Sequence, residues 1–124
     1  MQTAAIQSGY RALLKAVRIT IQKEEIPKLR KALDLAIRSC GEKKTLTGEF
    51  QIIHALSVAR IIAGEMGLGL TSVITALLHD SYNGLDLDSK DLEKEFGSKT
   101  VEILKGFSRI SGIETMQSSY QAEN

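Results

Sequence analysis

The sequence predicts an all-α fold, a single helical bundle of about six helices. Apolar residues recur three and four positions apart along nearly the whole chain, the spacing that gathers them on one face of an α-helix. No segment shows a sustained alternation of apolar and polar residues between hairpin turns, so β-strands are not expected. Gly41, Gly67 and Gly97 each follow a periodic run, and they are predicted to end helices there.

Three amphipathic helices are predicted in the first half of the chain. The first covers about residues 3–20 and carries one apolar stripe. The second begins near Glu25 and accepts Pro27, because proline fits the first turn of a helix. A polar loop then leads to the third helix, at about residues 50–66, which contains His54 near its start.

Three further helices are predicted in the second half. The fourth opens at Thr71 or Ser72 and is apolar on most sides, which favours a central, buried position. Asp88 followed by Asp91 resembles an N-terminal capping pattern, so a short fifth helix should begin there. Ser98 can cap a sixth helix.

Composition indicates an ordinary soluble domain. The 124 residues suffice for one core, and no apolar run is long enough to cross a bilayer. Sixteen basic and fifteen acidic residues give a net charge of +1, which offers no reason to bind nucleic acid. The start of the chain lacks the features of a secretion signal, so a cytoplasmic location is expected. Cys40, the single cysteine, is interpreted as a small semi-buried residue rather than a nucleophile.

The two histidines are the candidate metal ligands. His79 stands beside Asp80 at the end of the fourth helix, and His54 lies in the third, so both imidazoles could project into one cleft. Two imidazoles and a carboxylate suit Mn²⁺, Fe²⁺ or Zn²⁺ by ligand type. The alternative is a hydrogen-bonded structural pair of His79 and Asp80, which is the commoner case for such a doublet.

Four segments together resemble the N-terminal HD domain of the RelA/SpoT family, whose members make and degrade the alarmone (p)ppGpp. In chain order these are G-E-F-Q-I-I-H-A-L-S-V-A-R-I-I-A, T-A-L-L-H-D, D-L-E-K-E-F-G-S-K-T-V-E-I-L-K-G-F-S-R-I-S-G-I and Q-A-E-N. The resemblance covers the chain from about Leu13 onward. It implies a helical domain that uses Mn²⁺ to hydrolyse the 3′-pyrophosphate of ppGpp, giving GDP and pyrophosphate. A separate downstream domain of the family transfers pyrophosphate from ATP to GDP or GTP.

By this resemblance, His54 matches the first metal ligand of the family, and His79 and Asp80 match the second and third. The fourth ligand of the family is an aspartate in a later helix, which this chain does not reach. We therefore expect residues 1–124 to form one truncated HD domain with a three-ligand remnant of the metal site.

Two departures from the family pattern bear on function. Hydrolase members carry a Glu-Asp pair, for water activation and leaving-group chemistry, where this chain has Asn83 and Gly84. An amide cannot take a proton as a carboxylate does, and glycine has no side chain, so acid-base catalysis should fail. The basic residues of the family's nucleotide segment are replaced as well. The remaining candidate nucleotide contacts are Lys43, Lys44, Thr45 and Thr47, of which the lysines could equally be ordinary solvent-exposed side chains.

Three functions follow from these observations. The favoured one is an HD domain that no longer hydrolyses ppGpp and instead packs against and regulates a downstream synthetase domain. The alternatives are an active ppGpp pyrophosphohydrolase and a helical module that binds a nucleotide or a partner. Apolar helix faces left uncovered by the truncation should also favour self-association. Nucleic acid and membranes are not expected as partners.

Overall fold

The structure is a computed structural model that describes residues 3–85 and 87–109. Within these residues the chain is helical and forms no extended strand, which confirms the predicted all-α fold. The helices are α1 (Thr3–Val17), α2 (Ile26–Cys40), α3 (Gln51–Gly64), α4 (Leu70–Leu78), α5 (Ser89–Phe96) and α6 (98–109). None of the described helices is both long enough and apolar enough to span a membrane. The final part of the sequence resemblance, ending in Q-A-E-N, lies outside the described residues.

Helix α4 occupies the centre of the bundle. Its six consecutive residues 73–78 are all buried, including the polar Thr75, whose hydroxyl donates to the Thr71 carbonyl at 2.7 Å. Helices α2 and α3 both pack on α4, and α1 packs on α3. The prediction of a central, buried fourth helix is therefore confirmed. Because the site residues His79 and Asp80 directly follow α4, the packing of this helix fixes the position of the backbone that carries them.

Several helix ends differ from the predicted ones. Helix α1 stops at Val17 rather than near Thr20, because the Thr20 amide donates to the Val17 carbonyl at 3.1 Å in a tight turn. Helix α3 ends at Gly64, and Gly67 follows with φ of 66°. Gly41 ends α2 with φ of 53°, as predicted, since glycine adopts positive φ without a steric cost.

The starts of two helices also differ. Helix α4 begins at Leu70, ahead of the predicted Thr71 or Ser72, because the Gly69 carbonyl already accepts the Val73 amide at 3.1 Å. Ser98 was expected to cap α6 but is its first helical residue. In both cases a glycine precedes the first helical residue, where the sequence pattern favoured a hydroxyl side chain.

The predicted cap of α5 is confirmed and can be tested. Asp88 Oδ1 accepts the Asp91 amide at 2.9 Å. We expect Asp88→Ala to lower the free energy of unfolding by about 1 kcal/mol, because an otherwise unpaired amide loses its acceptor. Urea denaturation followed by circular dichroism measures this loss. Asp88→Asn keeps the acceptor and should stay close to the unmodified chain, so an equal loss in both variants would contradict the capping role.

An apolar cavity of about 330 Å³ lies between α3, α4 and α6. Its lining residues are Val58, Ile62, Leu68, Ser72, Thr75, Ala76, His79, Ile103 and Phe107. The rings of His79 and Phe107 stand 6.0 Å apart at its edge, and Phe107 remains 47% exposed. His79, a candidate metal ligand, therefore borders an apolar cavity. Part of the apolar surface of α6 is exposed.

Candidate functional site

His79 is held in a defined orientation at the end of α4. Its Nδ1 contacts the Ala76 carbonyl oxygen at 2.9 Å, which fixes the proton on Nδ1 because a carbonyl can only accept. Its other ring nitrogen, Nε2, carries the lone pair in the neutral form of the ring and lies 3.0 Å from Asp80 Oδ1. Two electron-rich atoms at this distance repel each other unless a proton or a cation lies between them. The two side chains are 29% and 31% exposed, so a cation could reach them.

The spacing of these two atoms fits a divalent ion. Ligand atoms at about 2.1 Å from an octahedral ion, in adjacent positions, stand about 3.0 Å apart. The observed separation of His79 Nε2 and Asp80 Oδ1 is 3.0 Å. A carbonyl that binds the far nitrogen of a ligating imidazole is also the usual arrangement in metal sites, and here the Ala76 carbonyl does so.

His54 lies in the first turn of α3, where its amide donates to the Phe50 carbonyl at 3.0 Å. Its Nδ1 is 3.3 Å from Glu49 Oε2, and both side chains are 41% exposed. Among the described residues, no three His, Cys, Asp or Glu side chains form a group that could hold a metal ion. The structure thus pairs His79 with Asp80 and His54 with Glu49, and the role of His54 as a third ligand stays a prediction.

The turn after the doublet contains Asn83 and Gly84, the two positions that match the Glu-Asp pair of the family's hydrolase members. Tyr82–Gly84 form a short 3₁₀ turn. The Ser39 hydroxyl, on α2, donates to the Ser81 carbonyl at 2.9 Å. The Ser108 hydroxyl, on α6, donates to Asn83 Oδ1 at 2.9 Å. The turn is therefore tied to two helices that are distant in sequence, and the Asn83 carboxamide has a partner of its own.

Gly84 is packed closely against α2 and the loop after it. A methyl group built on Gly84 would lie 3.1 Å from Ser39 Oγ and 3.9 Å from Lys43 Nζ. The first distance is shorter than an ordinary contact, so a side chain there requires Ser39 to move. The second shows that Lys43, a predicted nucleotide contact, places its ammonium group beside the turn that follows His79 and Asp80.

The other predicted nucleotide contacts make bonds within their own loop. The Thr45 amide donates to the Glu49 carbonyl at 2.7 Å, and the hydroxyls of Thr45 and Thr47 are hydrogen-bonded at 3.0 Å. The Lys44 ammonium stands 5.0 Å from the centre of the Phe50 ring, which is cation–π distance. The loop is therefore held by contacts among its own residues, and contact between these residues and a nucleotide stays a prediction.

Cys40 lies next to the site but is closed off from it. The residue is 1% exposed, more deeply buried than the semi-buried position predicted. Burial raises the pKa of the Cys40 thiol above its ordinary value and outweighs a lowering by the hydrogen bond with Ser81, while the charges of Asp80 and Lys43 have still smaller, opposite effects on this pKa. A buried thiol with a raised pKa is a poor nucleophile, in agreement with the sequence interpretation.

Sequence reasoning missed the residues that support the site. Ser39 and Ser108 act on a turn that lies 42 and 25 residues away, so no local pattern marks them. Glu49 stands five positions before His54, in a segment quoted for its resemblance, yet it was not assigned a role. Its acidic side chain just ahead of a helix that carries a candidate ligand was the available signal.

The fold and this doublet define the class of protein. A sequence model of the HD domain family matches residues 32–124, and the chain belongs to that family. Within it, the chain is homologous to proteins of the RelA/SpoT group. It is 35% identical over 96 residues to guanosine-3′,5′-bis(diphosphate) 3′-pyrophosphohydrolase of Aquifex aeolicus and 37% identical over 106 residues to that of Vibrio cholerae. It is 31% identical over 117 residues to bifunctional (p)ppGpp synthase/hydrolase SpoT of Escherichia coli.

These matches cover most of the chain and a small part of each relative. The three alignments take in 77%, 84% and 93% of this chain. They take in 13%, 15% and 16% of the respective relatives. The predicted resemblance to the RelA/SpoT HD domain is confirmed, while the activities in those names belong to proteins several times as long.

Proposed function

We propose that this HD domain has lost ppGpp hydrolysis and serves a longer protein of (p)ppGpp metabolism by regulating its synthetase domain. The observation that carries the proposal is the pair Asn83 and Gly84, which follows the His79-Asp80 doublet after two intervening residues. The Asn83 carboxamide accepts a hydrogen bond from Ser108 and cannot act as a base. Gly84 offers no side chain. A cytoplasmic location and self-association through exposed apolar helices belong to the same proposal.

The proposed metal is Mn²⁺, held by His79 and Asp80 together with His54. When bound, such an ion supplies Lewis-acid polarisation of a phosphoryl oxygen or activation of a water molecule. The surrounding residues orient the His79 imidazole for this role. The Ala76 carbonyl keeps its proton on Nδ1, and Asp80 contributes a carboxylate 3.0 Å from the other ring nitrogen. This arrangement supports ion binding and supplies no general acid.

A second candidate function is retention of ppGpp without cleavage. Lys43 Nζ lies 3.9 Å from a methyl group built on Gly84, so its charge lies beside a position that is acidic in hydrolase members of the family. Replacing two carboxylates by an amide and a hydrogen removes negative charge from this end of the cleft. The change favours binding of a polyphosphate at the same time as it prevents its hydrolysis.

One incubation tests the hydrolysis proposal. The purified chain is mixed with Mn²⁺ and ppGpp, bound manganese is measured by elemental analysis after gel filtration, and GDP and pyrophosphate are measured by chromatography. We expect bound manganese and no product above the rate of a metal-only control. Asp80→Asn serves as the matched variant that should lose manganese without unfolding. Turnover that requires Asp80 would contradict the proposal, because it would show a working hydrolase.

A further inference from the structure

Asn83 and Gly84 form the only asparagine-glycine pair in the sequence. An asparagine followed by glycine is open to an intramolecular reaction, in which the backbone nitrogen of the glycine attacks the side-chain carbonyl carbon of the asparagine. Glycine has no side chain that shields its nitrogen, and its backbone is free to adopt the conformation that the attack requires. Both residues are exposed in the structure, so water reaches this turn.

The hydrogen bonds of the turn allow the Gly84 nitrogen to be released at low cost. The Gly84 amide donates to the Ser81 carbonyl at 3.0 Å, and the Ser39 hydroxyl donates to the same carbonyl at 2.9 Å. When the Gly84 amide leaves, the Ser81 carbonyl keeps its bond from Ser39 and is not left unpaired. The 3₁₀ segment covers only Tyr82–Gly84, so the opening is confined to one short turn.

The side-chain carbonyl of Asn83 is placed to accept the attack. The Ser108 hydroxyl donates to Asn83 Oδ1 at 2.9 Å, and attack at Cγ puts negative charge on this oxygen. A hydrogen-bond donor aimed at the atom where charge develops lowers the barrier to the reaction. Because Ser108 lies on α6, 25 residues away in sequence, this assistance exists only in the folded chain.

We propose that Asn83 is a self-modification site, at which the folded turn converts the amide into an acid. The Gly84 nitrogen bonds to Asn83 Cγ and the Cγ–Nδ2 bond breaks, so that ammonia leaves with the former amide proton and a succinimide ring remains. Water then opens either carbonyl of the ring and gives aspartate or isoaspartate at position 83. The loss of hydrolysis proposed above therefore applies to the intact amide, whereas the modification itself does not depend on the proposed function.

Peptide mapping by mass spectrometry after incubation at mildly alkaline pH tests the proposal, because base removes the proton of the attacking nitrogen. We expect the folded chain to lose ammonia at Asn83 and to gain isoaspartate, which an isoaspartate methyltransferase assay detects. Asn83→Gln is the matched control, since it keeps a carboxamide on a longer side chain that closes a ring less readily, and it should stay unmodified. The proposal is overturned if Asn83 stays intact in the folded chain while the chain unfolded in urea is converted.

Ser108→Ala separates the contribution of the fold from that of the local sequence. We expect conversion of Asn83 in the folded variant to slow by roughly fivefold, since the reacting carbonyl loses one hydrogen bond. In urea the substitution should have no effect, because Ser108 is then no longer held against the turn. Equal rates in the two folded chains would also overturn the proposal, since the pair would then react without help from the structure. Neither measurement uses ppGpp, so the proposed loss of hydrolysis is tested separately.

Discussion

Reinstating the two carboxylates, as Asn83→Glu with Gly84→Asp, is expected to raise ppGpp hydrolysis at least about a hundredfold over the unmodified chain. General acid-base catalysis by a positioned side chain contributes roughly 10²- to 10⁴-fold, and the present side chains contribute none of it. Asn83 sits where a carboxylate could still accept the Ser108 hydroxyl, which now donates to the carboxamide at 2.9 Å. Glutamate is one methylene longer than asparagine, so the first substitution keeps an oxygen acceptor at position 83 but places it farther from the backbone.

The second substitution needs room. A Cβ on Gly84 meets Ser39 Oγ at 3.1 Å, so the acidic pair should be built both in the native background and together with Ser39→Ala. We expect the higher rate with Ser39→Ala. Product formation with Mn²⁺ is the measurement, and Asn83→Gln with Gly84→Asn in the same background is the control of equal shape. If the acidic and amide pairs bind manganese and hydrolyse equally slowly, the missing acids are not the reason for inactivity.

Leu77→Ala is expected to lower the free energy of unfolding by about 3 to 4 kcal/mol. Leu77 is 0% exposed near the C-terminal end of α4, the helix on which α2 and α3 both pack, so its truncation removes buried apolar surface and leaves a cavity that rigid neighbours cannot fill. Urea denaturation measures the change. Leu46→Ala makes the same chemical change on a side chain that is 108% exposed, and it should stay within about 0.5 kcal/mol of the unmodified chain.

A loss below 1 kcal/mol at Leu77 would show that α4 is not packed as described, since even the mildest leucine-to-alanine changes in a core cost about 2 kcal/mol. Because His79 directly follows α4, the same variant should also weaken manganese binding at temperatures where it is still folded. Unchanged affinity there would mean that the doublet is positioned by its own turn rather than by the helix.

The fold could be predicted because its determinants are local. Helical periodicity identified the elements, an apolar character on most sides identified α4 as central, and the spacing of Asp88 and Asp91 identified a cap that the structure shows at 2.9 Å. The ends of α1 and α4 could not be predicted, because they depend on which backbone carbonyl closes the last or first turn. That choice is made by packing and by the flanking backbone rather than by side-chain pattern.

The site could be predicted only in part, because some of its contacts are local in sequence and others depend on packing. His79 and Asp80 are neighbours in sequence, so their contact at 3.0 Å needed no knowledge of the fold. The hydrogen bonds from Ser39 and Ser108 to the turn join residues 42 and 25 positions apart, and they exist only once α2, α4 and α6 have assembled. No residue type or spacing in the sequence predicts these two hydrogen bonds.

The contact between Ser39 and Gly84 also bears on how this site can evolve. A side chain added at Gly84 would place its Cβ 3.1 Å from the Ser39 hydroxyl, which now donates to the Ser81 carbonyl at 2.9 Å, so this hydroxyl must shift by a few tenths of an ångström. The fit of an aspartate at this position therefore depends on the residue at position 39. We therefore expect substitutions at positions 39 and 84 to be non-additive in their effect on stability.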